Sequence, residues 1–193
     1  MRLSLPDAGA NATLAAVVLG AVLATVSGVL ANLLEAFLRR RERERWAALL
    51  FGGVLSGLKV IMEGADAARG RGEPYGPVTR RMLYAARREL DIYDRNREAL
   101  MELRDAGLRA EMHSLAVRLA MPLDGLIESF TAGAGGDDVV RDRAFAFILE
   151  LLEQIPPMTA RLGRIARVRF DHYDAMPRPG VRQTPAHDPT TVA

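Results

Sequence analysis

Residues that could bind a metal or act as nucleophiles are scarce in this sequence. Cysteine is absent, which excludes thiolate ligands, thiol nucleophiles and disulfide bonds. The histidines are His113, His172 and His187, and none has a second ligand at the helical spacing that HExxH metal sites use. Glu111 is two residues from His113 and would point to a different helix face. We therefore predict no catalytic residue, no metal site and no cofactor, and a protein that is not an enzyme.

The densest polar run in a predicted helix is ELDIYDRNRE, at residues 89–98. Its charged side chains lie on successive helical turns, so we predict solvated ion pairs. The alternatives are a partner-docking face, or a polar cluster in which Tyr93 and Asn96 bond neighbouring helices. A membrane-tethered enzyme or signalling component would instead need converging, buried carboxylates, for which the candidates are Glu63, Asp66, Asp91, Asp94, Glu111 and Asp124.

The chain is organised around an uncharged stretch, residues 8–34, that consists mostly of alanine, valine and leucine. At about 1.5 Å per residue a helix of this length covers roughly 40 Å, enough to cross a hydrocarbon core of about 30 Å. A buried core helix would show a polar stripe, and a cleaved signal peptide would carry its basic residues before the apolar stretch. We therefore predict a transmembrane helix over residues 10–38, preceded by a short external tail at residues 1–9.

Basic residues flank this stretch unequally: five arginines lie between residues 39 and 45, whereas Arg2 alone precedes the span. The positive-inside rule then puts the carboxyl side of the span in the cytoplasm. We expect a single-pass inner-membrane protein with its amino terminus outside and its carboxyl terminus in the cytoplasm. A tryptophan after the arginines is a candidate interfacial anchor, with a core position as the alternative. The predicted membrane-interface residues are Arg39, Arg40, Arg41, Arg43, Arg45 and Trp46.

Small residues recur every four positions within the span, at Gly20, Ala24 and Gly28. This spacing lines one face of a helix and lets two membrane helices approach closely. A homodimer formed through this face is one interpretation. The other is an alanine- and glycine-rich composition that produces the pattern without any association.

A second apolar segment, residues 46–62, has Lys59 as its one charged residue. It is slightly shorter than the roughly 20 apolar residues that a membrane span requires. We favour a buried helix of the soluble domain, in which Gly52, Gly53 and Gly57 allow a neighbouring helix to cross closely. The alternative is a two-span subunit of a membrane assembly.

Glycine and proline signals divide the remaining sequence into helices. A helix over residues 78–105 follows a loop, and Gly107 is its expected cap. Pro122 predicts a kink or break in the next helix, over about residues 109–130. Two more helices are expected, ending near residue 155 and residue 173, with Pro156 and Pro157 between them.

No stretch alternates polar and apolar residues as a strand does, so the sequence predicts an all-α protein. The expected architecture is one transmembrane helix that continues into an antiparallel cytoplasmic helical bundle. That domain covers residues 39–173. Residues 174–193 contain many prolines and few large apolar residues, and they predict a disordered tail.

Two segments, LDIYDRNREAL at residues 90–100 and LRAEMHSLAVRLAMPLDGLIESF at residues 108–130, follow the charge-poor span and its arginine-rich exit. With this arrangement residues 10–130 resemble small bacterial single-span membrane proteins of uncharacterised function that carry a cytoplasmic helical domain. The resemblance implies neither an activity nor a site.

The expected function is that of a membrane-anchored interaction or scaffold protein. The net charge is +2 and acids are interleaved with the basic residues, so no nucleic-acid partner is expected. The expected partners are the lipid bilayer, an unidentified cytoplasmic protein and, through the small-residue face, a second copy of the chain.

Overall fold

A computed structural model describes residues 8–131 and 138–170, and in this part of the chain all regular secondary structure is helical, without strands. The predicted tail at residues 174–193, most of the predicted tail at residues 1–9, and the connection at residues 132–137 lie outside the described residues. The helices are α1 (Ala8–Arg69), α2 (Pro77–Arg95), a 3₁₀ helix (Arg97–Glu102), α3 (Ala106–Thr131), α4 (Asp138–Leu152) and α5 (Ile155–Ala166).

Helix α1 is a single helix of 62 residues with two different environments along it. At about 1.5 Å per residue it is roughly 93 Å long. All residues from 25 to 43 are exposed, whereas residues 47–65 supply more of the core than any other helix. The buried apolar side chains of this second half are Ala47, Ala48, Phe51, Val54, Leu55, Leu58, Met62 and Ala65.

Helices α2 and α5 both pack along α1. The Phe51 and Tyr93 rings meet edge to face with their centroids 5.6 Å apart, which joins α1 to α2. Further along, a Cβ added at Gly57 would lie 3.4 Å from the carboxyl carbon of Glu89. On the α5 side, the ring of Phe170 fills the space that a side chain at Gly52 would need. Gly52 and Gly57 therefore let both neighbours approach α1 closely, whereas a Cβ added at Gly53 would meet nothing within 4 Å.

The apolar segment at residues 46–62 is part of this core. Helix α1 is long and apolar enough to cross a membrane, and half of the residues in its most apolar described stretch of 18 residues are buried within the structure. Because residues 25–43 are all exposed, that stretch lies in the second half of α1. The packing favours a buried domain helix over a second span for residues 46–62.

The helix predicted over residues 78–105 is divided in the structure. Helix α2 ends at Arg95, and the side-chain amide of Asn96 donates to the carbonyl oxygen of Ile92 at 2.8 Å. At the start of α3, a carboxylate oxygen of Asp105 accepts the Leu108 N–H at 2.9 Å. Asparagine and aspartate side chains compete with the helix in this way, so they end one helix and cap the next. Gly107 lies in the first turn of α3, and its prediction as a C-cap is wrong.

Prolines act differently in α3 and α5. Helix α3 continues through Pro122, so the predicted break does not occur; the carbonyl one turn earlier belongs to the exposed Arg118 and can bond to water. In α5, two prolines occupy the first turn, where a missing N–H costs nothing. The expected end of α5 near residue 173 is also wrong, because the helix stops at Ala166, followed by Arg167 in the left-handed conformation.

We predict that Gly163→Ala destabilises the protein. Its Cβ would lie 2.6 Å from the backbone oxygen of Val168, whose N–H bonds to the Gly163 carbonyl at 3.1 Å, so the helix end must shift. The expected loss is about 1–3 kcal/mol. Gly125→Ala is the matched control, because it meets nothing within 4 Å and should gain about 0.5–1 kcal/mol from helix propensity. Thermal unfolding followed by circular dichroism tests both variants, and equal midpoints would contradict the assignment.

Candidate membrane-facing surface

The first half of α1 exposes a continuous set of large apolar side chains. Their exposed fractions lie between 48% and 62%. Soluble monomeric proteins rarely expose apolar patches of this extent. The residues are Leu19, Leu23, Val26, Val29, Leu30, Leu33, Leu34, Phe37 and Leu38.

The predicted interface arginines directly follow these apolar residues along α1, and they make different contacts. Arg39 pairs with Glu35 one turn earlier, and Arg43 lies 3.9 Å from Glu102 of the 3₁₀ helix. The Nε of Arg45 donates to the carbonyl oxygen of Ala166 at 3.0 Å. Arg40, Arg41 and Trp46 are exposed. Trp46 is 56% exposed and therefore lies on the surface, not in the core.

The segment before α3 also reaches this end of α1. Glu44 accepts the backbone N–H of Arg104 at 3.2 Å, and its other carboxylate oxygen lies 3.3 Å from the Arg104 guanidinium. The same guanidinium lies 5.8 Å from the centroid of the Phe37 ring. The domain therefore begins immediately beyond the exposed apolar half of α1.

The predicted dimer face has no neighbouring side chain at its two described glycines. A Cβ added at Gly20 or Gly28 would meet nothing within 4 Å. The side chain of Ala24 lies outside the described residues. The two glycines of this face thus have no close neighbour among the described residues, and association through the face stays a prediction.

A cleft of about 720 Å³ separates α1 from α5, and basic side chains converge on it. Its lining includes Lys59, Arg164, Arg167 and Arg169 together with apolar groups such as Val60, Ile155 and Phe170, and it contains no acidic residue. Lys59 lies 3.4 Å from Glu63. The sequence analysis did not select this cleft, because it forms between segments about 100 residues apart.

Two acids of the polar run at residues 89–98, Asp91 and Asp94, form solvated ion pairs as predicted, but their partner lies outside the run. Arg87, one turn before it, lies 3.0 Å from Asp91, 3.9 Å from Asp94 and 2.7 Å from Asp124 of α3. These carboxylates are 39–58% exposed, so they are solvated groups held by one arginine. The alternative polar cluster around Tyr93 does not form. The Tyr93 hydroxyl has no hydrogen-bond partner among the described residues, and burial raises the pKa of this hydroxyl to about 12.

A second polar cluster, at the opposite end of the domain, was not predicted from the sequence. Asp142 of α4 accepts hydrogen bonds of 2.6 Å from Arg69 and from the Tyr75 hydroxyl. The Arg69 guanidinium stacks 4.1 Å from the centroid of Phe145. Burial and the bond to Asp142 raise the pKa of Tyr75. The cluster closes the loop after α1 onto α4, and its members are up to 76 positions apart, so no local spacing could reveal it.

Among the residues that the structure describes, no group of three or more histidine, aspartate or glutamate side chains is arranged to hold a metal ion. The carboxylates around Arg87 are exposed and paired, which is the geometry of an ion-pair network. This arrangement gives no support to a membrane-tethered enzyme. Comparison of the chain with protein-family models, with curated proteins and with solved structures finds no match.

A pH-dependent contribution to stability is expected from Asp105. Its hydrogen bond from the Leu108 N–H and its 2.6 Å ion pair with Arg161 hold the pKa of this carboxyl below its ordinary value of 3.8. The stabilisation is therefore complete above pH 3.8 and is lost as the pH falls through the lower, folded-state pKa. Asp105→Asn keeps the cap and removes the charge. Its melting temperature should fall below that of the parent near neutral pH and converge with it in acid; a constant difference would contradict this assignment.

Arg167 is the one non-glycine residue with positive φ in the described chain, at 59°. A left-handed conformation costs a non-glycine residue about 1–2 kcal/mol. Arg167→Gly should therefore be about 1 kcal/mol more stable than Arg167→Ala, because both variants lose the charge and only alanine retains the strain. Thermal unfolding of the two variants measures this difference, and equal stability would mean that residue 167 is not held in this conformation.

Proposed function

We propose that the protein is a single-pass membrane anchor joined to a helical interaction domain. One observation supports this most strongly: a single unbroken helix, α1, is apolar and exposed over one half and forms the centre of a packed domain over the other. Exposure of the apolar first half of α1 to water is unfavourable. Each large apolar residue at the centre of a membrane helix contributes about −0.3 to −0.6 kcal/mol to insertion, and nine such residues are exposed here.

The proposed orientation puts the domain in the cytoplasm of a bacterial cell and the amino terminus outside the inner membrane. The arginines of residues 39–45 support it, since basic residues are retained on the cytoplasmic side of a span. Exposed Trp46 then lies near the interface, where tryptophan is enriched. The domain itself we take to be an antiparallel bundle, because contacts along α1 and α2 run in opposite order: Phe51 meets Tyr93, and Gly57 meets Glu89.

An interaction role fits the surface of this domain better than catalysis does. Val117 and Met121 lie one turn apart on α3 and are 52% and 78% exposed, which offers an apolar contact for a cytoplasmic protein. The carboxylates paired with Arg87 are 39–58% exposed, as expected of solvated ion pairs. The proposed partners are the bilayer, a cytoplasmic protein and a second copy through Gly20, Ala24 and Gly28. The chain has no cysteine, so its topology can be measured directly.

Single cysteines at Ser4 and Gly72 test the proposed topology. A side chain at Gly72 would meet nothing within 4 Å, so the substitution leaves the domain intact. Intact cells are treated with a membrane-impermeant maleimide. We expect labelling of Ser4→Cys, and labelling of Gly72→Cys after the cells are lysed and not before.

Extraction with alkaline carbonate is the companion measurement. The chain should remain in the membrane fraction. Release into the supernatant would refute the anchor itself, whereas labelling of Gly72→Cys in intact cells would refute the orientation or indicate that residues 46–62 cross the bilayer.

A further inference from the structure

The chain reverses direction after α5 and runs back along α1. Arg167 adopts the left-handed conformation at the turn, with φ at 59°. Just before the turn, the Ala166 carbonyl accepts a hydrogen bond from Arg45, and just after it the Phe170 ring lies against Gly52. Seven helical residues rise about 10 Å. The four residues that lead to position 170 therefore advance by about that distance along α1.

The α1–α5 cleft begins one turn beyond this point. Its α1 wall consists of Ser56, Lys59 and Val60, which follow Gly52 by four to eight residues on the same side of the helix. The end of this wall is thus about 12 Å beyond Gly52. Four extended residues span about 13 Å. Residues 171–174, continuing in the direction of the described chain, therefore match the length of the cleft.

Basic side chains lie on both walls of this cleft, and no acid is among the described residues that line it. Lys59 lies on the α1 wall, and the opposite wall carries Arg164, Arg167 and Arg169. Lys59 also lies 3.4 Å from Glu63, which is outside the lining. Like charges across a cleft repel each other, and apolar walls strengthen the field between them. An occupant with negative charge would offset this repulsion.

The segment that follows Phe170 carries such charge. Residues 171–174, which lie outside the described residues, have the sequence Asp-His-Tyr-Asp, and the next acid along the chain is Asp188. Phe170 itself lines the cleft, so Asp171 is tethered at its edge and has a high effective concentration there. In an extended segment, side chains three residues apart project to opposite sides. Asp171 and Asp174 therefore suit a cleft that has basic groups on both walls.

We propose that residues 171–174 occupy the α1–α5 cleft of their own chain, where Asp171 and Asp174 pair with its basic side chains. The apolar part of the lining, which includes Val60 and Ile155, accommodates the Tyr173 ring. The occupied cleft is closed to other anionic ligands, and release of the segment opens a basic site on the domain. The inference does not depend on the membrane anchor.

The test measures the position of this segment in the full chain, purified in detergent micelles. Spin labels are attached at Gly72→Cys and Ala175→Cys, because the chain has no cysteine of its own and a side chain at Gly72 would meet nothing within 4 Å. The end of α1 at Arg69 is about 14 Å beyond Val60. Pulsed electron paramagnetic resonance should therefore give one narrow distance distribution, centred at roughly 20–30 Å.

Substitution of the two acids removes the proposed pairing. Each exposed ion pair contributes about a threefold factor, so Asp171→Asn with Asp174→Asn should lower the ratio of docked to undocked segment roughly tenfold. The distance distribution then broadens. Asp188→Asn removes an acid outside the segment and should leave the distribution unchanged. Circular dichroism confirms that the variants are folded.

Substitution of the cleft arginines tests the same contact from the other side. Arg164→Gln with Arg167→Gln should broaden the distribution in the same way. Arg81→Gln with Arg143→Gln is the matched control, because it removes two exposed charges that do not line the cleft and should have no effect.

Three results would overturn the proposal. A broad distribution in the parent chain would mean that the segment does not occupy the cleft, which then takes an outside ligand or none. A narrow distribution that neither pair of charge variants broadens would refute recognition by charge. A dipolar signal between chains labelled singly at residue 72 and at residue 175 would mean that the segment lies in the cleft of a second copy.

Discussion

Backbone continuity of α1 fixes the geometry of the whole molecule. Within a helix each peptide group is bonded to the next turn, so a bend needs a proline, a glycine or an inserted group. Residues 29–51 contain neither glycine nor proline. The exposed apolar half and the packed half are therefore one rigid element, and the direction of the first half dictates where every face of the domain points.

Small side chains on the packed half of α1 make it the central helix. Ala47 and Ala48 are fully buried, and Gly52 leaves room for the Phe170 ring. Each glycine within a helix costs about 0.5–1 kcal/mol relative to alanine. That cost is offset where the missing side chain lets a large neighbour pack against α1, as the Phe170 ring does at Gly52. A bulkier α1 would hold its neighbours apart and expose part of the core.

Local signals in the sequence were sufficient for the helical class and for several boundaries. Glycines and prolines predicted the loop after Arg69, and the proline pair predicted a boundary near α5, although the prolines lie in its first turn and not before it. The caps at Asn96 and Asp105 were missed because apolar periodicity continues across them and masks the side-chain hydrogen bonds that end one helix and begin the next. Arg69 and Asp142 are 73 positions apart, so only the folded chain brings them together.

Part of the candidate surface could likewise be predicted from the sequence, and part could not. Residues 39–45 could be selected from sequence because the positive-inside rule depends on distance along the chain from an apolar stretch. The arginines of α5 do not adjoin a long apolar stretch, and their spacing alone predicts an ordinary solvated helix face. Their surroundings come from tertiary structure: the bond from Arg45 to Ala166 holds the end of α5 against α1, and Arg164 lines the cleft between the two helices. The exposed apolar residues Val117 and Met121 of α3 likewise become evident only in the folded domain.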